Sequence, residues 1–214
     1  MRIVLVVFLM GGVLAGCAST PGSSESQTAA GATAPSDAEE TSAASAEPLP
    51  PDAVKQFDQA VVHMNAGDLA AAEQGFRSLA AAYPSYSGAL INLGILQVKA
   101  NRLDEAEKTL RSALERNGSN AAAFNQLGIV YRKLGRFKEA DESYQRAVQV
   151  DPDYALAWLN LGVLCDLYLQ QPQRALEAFE RYLALATTPN EKVANWITEL
   201  KRRIGAEPQA ARAE

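Results

Sequence analysis

The apolar positions fall into three regimes along the chain. Behind Met1-Arg2, residues 3–14 run apolar with glycine, Ile-Val-Leu-Val-Val-Phe-Leu-Met-Gly-Gly-Val-Leu. From 18 to 52 the chain is almost entirely Ser, Thr, Ala, Gly, Pro, Glu and Gln. A segment with so little large apolar surface cannot offset its ordering entropy and is expected to be a disordered linker. Beyond 53 the pattern switches to helical spacing. Phe124, Leu127, Ile129 and Tyr131, then Phe137, Ala140, Tyr144 and Ala147, recur as helix faces do. Val193, Trp196, Ile197, Leu200 and Ile204 form one more apolar stripe, predicting a helix over 189–204 that covers the exposed end of the body. Gly205 and Pro208 are expected to close it, leaving 205–214 as a flexible tail.

The helical region repeats. Leu93-Gly94, Leu127-Gly128 and Leu161-Gly162 are 34 residues apart, and so are Leu90, Phe124 and Trp158. Ala106 and Ala140, Leu110 and Tyr144, and Ala113 and Ala147 keep the same interval. Units are read at 53–86, 87–120, 121–154 and 155–188. The first is degenerate, with Gln59-Ala60 in place of Leu-Gly, and the fourth has one extra residue in its turn Leu169-Gln170-Gln171-Pro172. Gly67 and Gly135 suit the left-handed end of a first helix. Pro84 and Pro152 end a second helix, because proline lacks the amide proton. Gly128 and Ala140 are small enough for close helix approach.

This pattern resembles the tetratricopeptide repeat (TPR), a helix-turn-helix unit. The resemblance implies an all-α solenoid of about four units plus a capping helix, since one unit cannot bury both faces and stacking makes the core. In the family, first helices line the concave side and extended peptides bind there. The residue before Leu-Gly faces that groove in the resemblance: Asn92, Gln126 and Asn160, with Asp58 in the degenerate unit. A carboxamide both donates to and accepts from a peptide backbone, so these predict a ladder along a bound chain. Three such bonds net about 0.5–1.5 kcal/mol each, too little alone against association costs of similar size. Phe57, Val61, Ile91, Ile95, Lys99, Ile129, Arg132, Lys133, Leu159, Val163 and Asp166 are the further groove candidates. Ile91, Ile95, Leu159 and Val163 would favour an apolar or amphipathic peptide, and Lys99, Arg132 and Lys133 would meet a carboxylate.

Charge and cysteine usage narrow the function. The net charge of −5 is uneven. Residues 18–52 hold six acids and no base; setting these aside with Arg2, Glu207, Arg212 and Glu214 leaves 18 basic and 17 acidic residues in 53–204. A near-neutral body carries no nucleic-acid footprint. His63 is the single histidine, and no phosphate loop, nucleophile elbow or metal-spaced cluster is present. The body is expected to be no enzyme and to need no cofactor, metal or small-molecule substrate. Acids such as Asp104, Glu105, Glu107, Asp141 and Glu142 read as solvated residues suited to helix N-termini.

Cys165 takes an aromatic position of its repeat and reads as a buried apolar residue. Cys17 has another role. The run 3–14 is too short to span a bilayer and reads as a signal h-region over residues 1–16. Leu14-Ala15-Gly16-Cys17 resembles a lipobox. That implies cleavage before Cys17, a thioether to diacylglycerol and anchoring by several acyl chains. Ala18, not Asp, follows the cysteine, which in enteric lipoproteins implies the outer membrane. The linker 17–52 would reach roughly 30–35 Å in r.m.s. span. The expectation is a lipid-anchored envelope scaffold that binds a protein or extended peptide. A narrower form is a pilotin-like factor that assembles an outer-membrane secretin.

Overall fold

A computed structural model describes the backbone of residues 49–210 and the side chains of 49–205. The signal-like segment, Cys17 and the linker up to residue 48 lie outside the described residues. Within them the chain forms nine α-helices and no strand. They are α1 (Pro51–Asn65), α2 (Leu69–Ala82), α3 (Gly88–Lys99), α4 (Leu103–Arg116), α5 (Ala121–Lys133), α6 (Phe137–Val150), α7 (Ala155–Leu167), α8 (Pro172–Leu185) and α9 (Glu191–Ala210).

The pairs α1·α2, α3·α4, α5·α6 and α7·α8 pack most extensively, and each second helix packs on the next first helix. First helices also touch across units, α3 with α5 and α5 with α7. A row of glycines sets the closeness within pairs. A Cβ on Gly94 would lie 2.7 Å from the Leu110 side chain, and one on Gly162 2.5 Å from the Phe179 ring; on Gly128 it would run into the Tyr144 ring. Those three large side chains are fully buried because glycine leaves them the space.

The turns inside the units share one solution. Gly67 (φ 81), Asn101 (φ 57) and Gly135 (φ 74), 34 apart, are left-handed. The amides just after them, of Asp68, Arg102 and Arg136, donate to the His63, Gln97 and Tyr131 carbonyls at 2.8–2.9 Å. These are Schellman caps, and asparagine is the usual substitute for glycine there. In the fourth unit the extra residue postpones the event to Gln170 (φ 53), and Gln171 N–H reaches back to the Cys165 carbonyl.

Adjacent units are also stapled by charge. Glu73 pairs with Arg102 at 2.5 Å, Glu107 with Arg136 at 2.8 Å and Asp141 with Arg174 at 2.7 Å. The three carboxylates keep the 34-residue interval and are only 21, 16 and 19% exposed. Glu107 and Asp141 are therefore not the solvated residues expected from sequence: the next unit's turn covers them. Arg102, bonded to Glu73, holds that carboxyl below the usual range, and Arg77 adds to the effect.

Two boundaries shift. Helix α1 starts at Pro51, inside the segment read as linker, because proline's fixed φ suits a first helical position. Helix α9 runs past Gly205 and Pro208 to Ala210 instead of stopping at 204. Gly205 does not adopt the left-handed conformation that caps the earlier helices, so nothing there ends the helix. Continuing forfeits the backbone bond that the Pro208 amide would have made.

Candidate functional site

The interval of 34 sorts the first helices into rows, and burial differs sharply from row to row. Ile91, Asn125 and Leu159 form one row and all are buried. Asn92 and Gln126 are buried in the next, with Asn160 half-buried. Val61, Ile95, Ile129 and Val163 form a half-buried β-branched row across all four units. Met64, Val98, Arg132 and Asp166 are half-buried too, and Asn65, Lys99, Lys133 and Leu167 are exposed. The accessible wall of α1, α3, α5 and α7 is therefore the last three rows: an apolar strip with a charged margin.

This corrects the ladder. Asn92 Nδ2 donates to the Gly88 carbonyl of its own helix at 3.0 Å. Asn160 Nδ2 donates to Asn125 Oδ1 at 2.9 Å, and Asn125 Nδ2 donates to the Tyr154 hydroxyl at 3.4 Å. Gln126 is buried. A carboxamide lodged between helices bonds its neighbours, since leaving it unpaired there costs more than the bond returns. Ile91 and Leu159 also leave the wall. They occupy the row where α3 meets α5 and α5 meets α7, so helix contact takes up their surface. Ile95, Lys99, Ile129, Arg132, Lys133 and Val163 keep accessible surface.

Arg132 is the least solvated cation of the margin. Its Nε is buried without a hydrogen-bond partner. Its guanidinium carbon sits 5.9 Å from the centre of the Tyr168 ring, which lies 4.7 Å from the Phe137 ring. Beneath it is the Tyr144 phenol, pushed up to about 12 mainly by burial and so neutral at physiological pH. None of the ion pairs among the described residues uses Lys99, Arg132 or Lys133. Asp166, by contrast, is paired with Arg203 of α9.

The sequence reading missed Leu167 and Tyr168. A signal existed: Leu167 sits at the row position of Lys133, next to the one turn with an extra residue. His63 lies at an exposed helix end, Nδ1 3.3 Å from Asp68 Oδ2. Cys165 is free and buried, and burial pushes its thiol up to about 11. Among the described residues no group of His, Cys, Asp and Glu is placed to hold a metal ion, and no helix is long and apolar enough to cross a membrane.

Paired helices with a 34-residue interval, glycine-to-ring packing and stacked first helices make this body a tetratricopeptide-repeat solenoid. Comparisons agree with that class. A tetratricopeptide-repeat family model matches residues 119–188, and the model of the middle TPR-like domain of cilia and flagella-associated protein 70 matches 49–151. Among solved structures, the body is similar to Pseudomonas aeruginosa PilF, at TM-score 0.65 and 22% identity over 75% of this chain and 72% of that one. It is similar to MamA at TM-score 0.59 and 20% identity, covering 75% and 86%. A thermophilic TPR protein from Thermus thermophilus matches at 0.59 and 22%, covering 72% and 83%. No curated protein matches in sequence. At such identities the likeness establishes the fold, a solenoid of TPR type.

Proposed function

We propose that the protein is a lipid-anchored scaffold of the bacterial cell envelope, held at a membrane through Cys17, that recruits a protein partner along the wall of its first helices. The observation that carries the reading is the row Val61, Ile95, Ile129 and Val163. Four β-branched residues in register stay half-open to solvent in every unit, the degenerate one included. A solenoid with no partner gains nothing from keeping a continuous apolar strip wet. The lipobox Leu14-Ala15-Gly16-Cys17 and the acidic linker support the anchoring half. The order of lipobox, spacer and TPR body also fits the narrower role of assembling an outer-membrane secretin, with the outer membrane's periplasmic face as its place.

Two measurements test it. Mass spectrometry of the mature chain is expected to find a diacylated and N-acylated Cys17, absent in Cys17→Ser. Crosslinking and capture from membranes is expected to yield one partner with the wild-type chain and much less with Ile95→Lys plus Ile129→Lys. Equal capture by the double variant, with its helical spectrum intact, removes the wall from the account. Secretin multimers that form unchanged without the protein dispose of the narrower role.

A further inference from the structure

The wall does not end evenly. At the fourth unit, Leu167 is 56% and Tyr168 41% exposed, side by side at the end of α7. Next to them opens a cavity of about 580 Å³ lined by Asp166, Leu167, Gln170, Pro172, Trp196, Glu199 and Arg203. A concavity of this size accepts a large side chain, and apolar anchors of that kind carry most of the energy in peptide recognition. The charges of its rim are already matched, because Arg203 bonds Asp166 across it and Glu199 is paired with Arg202 on its own helix. Its apolar surfaces, Leu167 and the half-buried Trp196, are not covered. Trp196 packs on Phe179, with ring centres 5.4 Å apart, and the Lys192 ammonium lies 5.1 Å from its ring centre.

The neighbouring rows supply the rest of the recognition. From Leu167 on α7, the same two rows lead to Arg132 and Lys133 on α5 and to Lys99 on α3. None of these three cations has a carboxylate partner among the described ion pairs. These cations make the margin positive beside a pocket whose own charges are paired and whose apolar surfaces are Leu167 and Trp196, and the combination complements an acidic chain with an apolar end. The spacing follows from geometry. Packed helices lie about 8–10 Å apart, and an extended chain advances roughly 3.3 Å per residue. Each step from one first helix to the next therefore spans about three peptide residues.

We propose that the α7–α9 cavity is the anchor pocket of the wall, and that its ligand is an extended acidic peptide. One large apolar side chain fills the pocket, and carboxylates three and six residues away meet Arg132 with Lys133, and Lys99. The proposal rests on the wall being the partner surface, and adds where the partner is gripped and what it carries.

The test titrates the full chain, by fluorescence anisotropy, against labelled Gly/Ser peptides with one tryptophan and glutamates three and six positions away, in both chain directions. Control peptides carry glutamine in place of glutamate, or glutamates one and two positions from the tryptophan. The matched peptide is expected to bind at least about tenfold tighter than either control in one of the two directions, a difference of about 1.4 kcal/mol. Leu167→Glu is expected to abolish that binding. Lys133→Glu is expected to erase the preference for glutamate over glutamine. Both positions are exposed, so neither change threatens folding. Matched and control peptides binding alike, no peptide binding at all, or full binding by Leu167→Glu each overturns the proposal. If Ile129→Lys abolishes binding while Leu167→Glu does not, the pocket is refuted and the wall remains the partner surface.

Discussion

The two ends of the stack finish in opposite ways. At the α1 end, stacking positions are rewritten. Lys55 stands where the later units have the buried alanines Ala89, Ala123 and Ala157, and Gln59 stands where they have Leu93, Leu127 and Leu161. Val62 keeps its apolar identity, yet it is 65% exposed, while its equivalents Leu96, Val130 and Leu164 are buried. The degenerate first unit is thus a repeat whose outer face is made polar to meet water. At the other end the fourth unit keeps its stacking positions apolar, with Leu161, Leu164, Ala175 and Phe179 buried. A helix is added, and Val193, Ile197 and Leu200 of α9 are buried in the seam it makes. Substitution leaves a plain surface, whereas an added helix creates a seam, and a seam that does not repeat the earlier geometry leaves room for a pocket.

Four substitutions probe that difference, from the largest expected effect to the smallest. Phe179→Ala empties the site that seats both Gly162 and Trp196 and should cost about 3–5 kcal/mol in urea unfolding. A smaller loss would mean that α9 holds on without the ring. Gly128→Ala drives a Cβ into the buried Tyr144 ring in the middle of the stack and is expected to cost about 1–3 kcal/mol. It serves as the interior reference for both ends. Glu73→Gln loosens the staple between the first and second units and should cost about 0.5–1 kcal/mol at neutral pH, since Arg102 keeps Glu105. The folded-state pKa of Glu73 lies below its unfolded value, so its stabilisation is present above the usual carboxylate range and lost as pH falls through the folded value. Thermal midpoints between pH 7 and 3 should accordingly fall less in Glu73→Gln than in the wild type. Gln59→Leu restores the repeat consensus but should change stability by no more than about 0.5 kcal/mol, because no described helix covers that face. Its expected signature is concentration-dependent association in ultracentrifugation, and a clear gain in stability would contradict the reading of α1 as a polar end.

Equivalence was legible in the chain; orientation was not. The interval of 34 identifies Leu93, Leu127 and Leu161 as one position, and the glycines of Leu-Gly as close-contact points, without any coordinates. It does not say which rows of a first helix are consumed by the next first helix. Ile91 and Leu159 looked like wall residues because they are apolar beside Asn92 and Asn160, yet α3–α5 and α5–α7 contact buries their row. Asn125, one residue from the expected rung, turns out to be the acceptor for Asn160. The staples were hidden for a different reason. Glu107 and Arg136 are 29 residues apart, a separation that a search within one helix or one period does not connect. Asn101 was overlooked because only glycine was sought at the left-handed position, although asparagine tolerates it.

The fully buried residues of α1 are two alanines, Ala53 and Ala60, against nine buried residues in α5. The linker joins the body at this thinly held helix. In the proposed anchored form, a pull from the N-terminal side would therefore load the outermost shingle of the roof, which can lift and reseat while α3 to α7 stay packed on one another. Amide exchange should accordingly be fastest in α1 and slow progressively toward α5, a gradient that turns one edge of the molecule into its shock absorber.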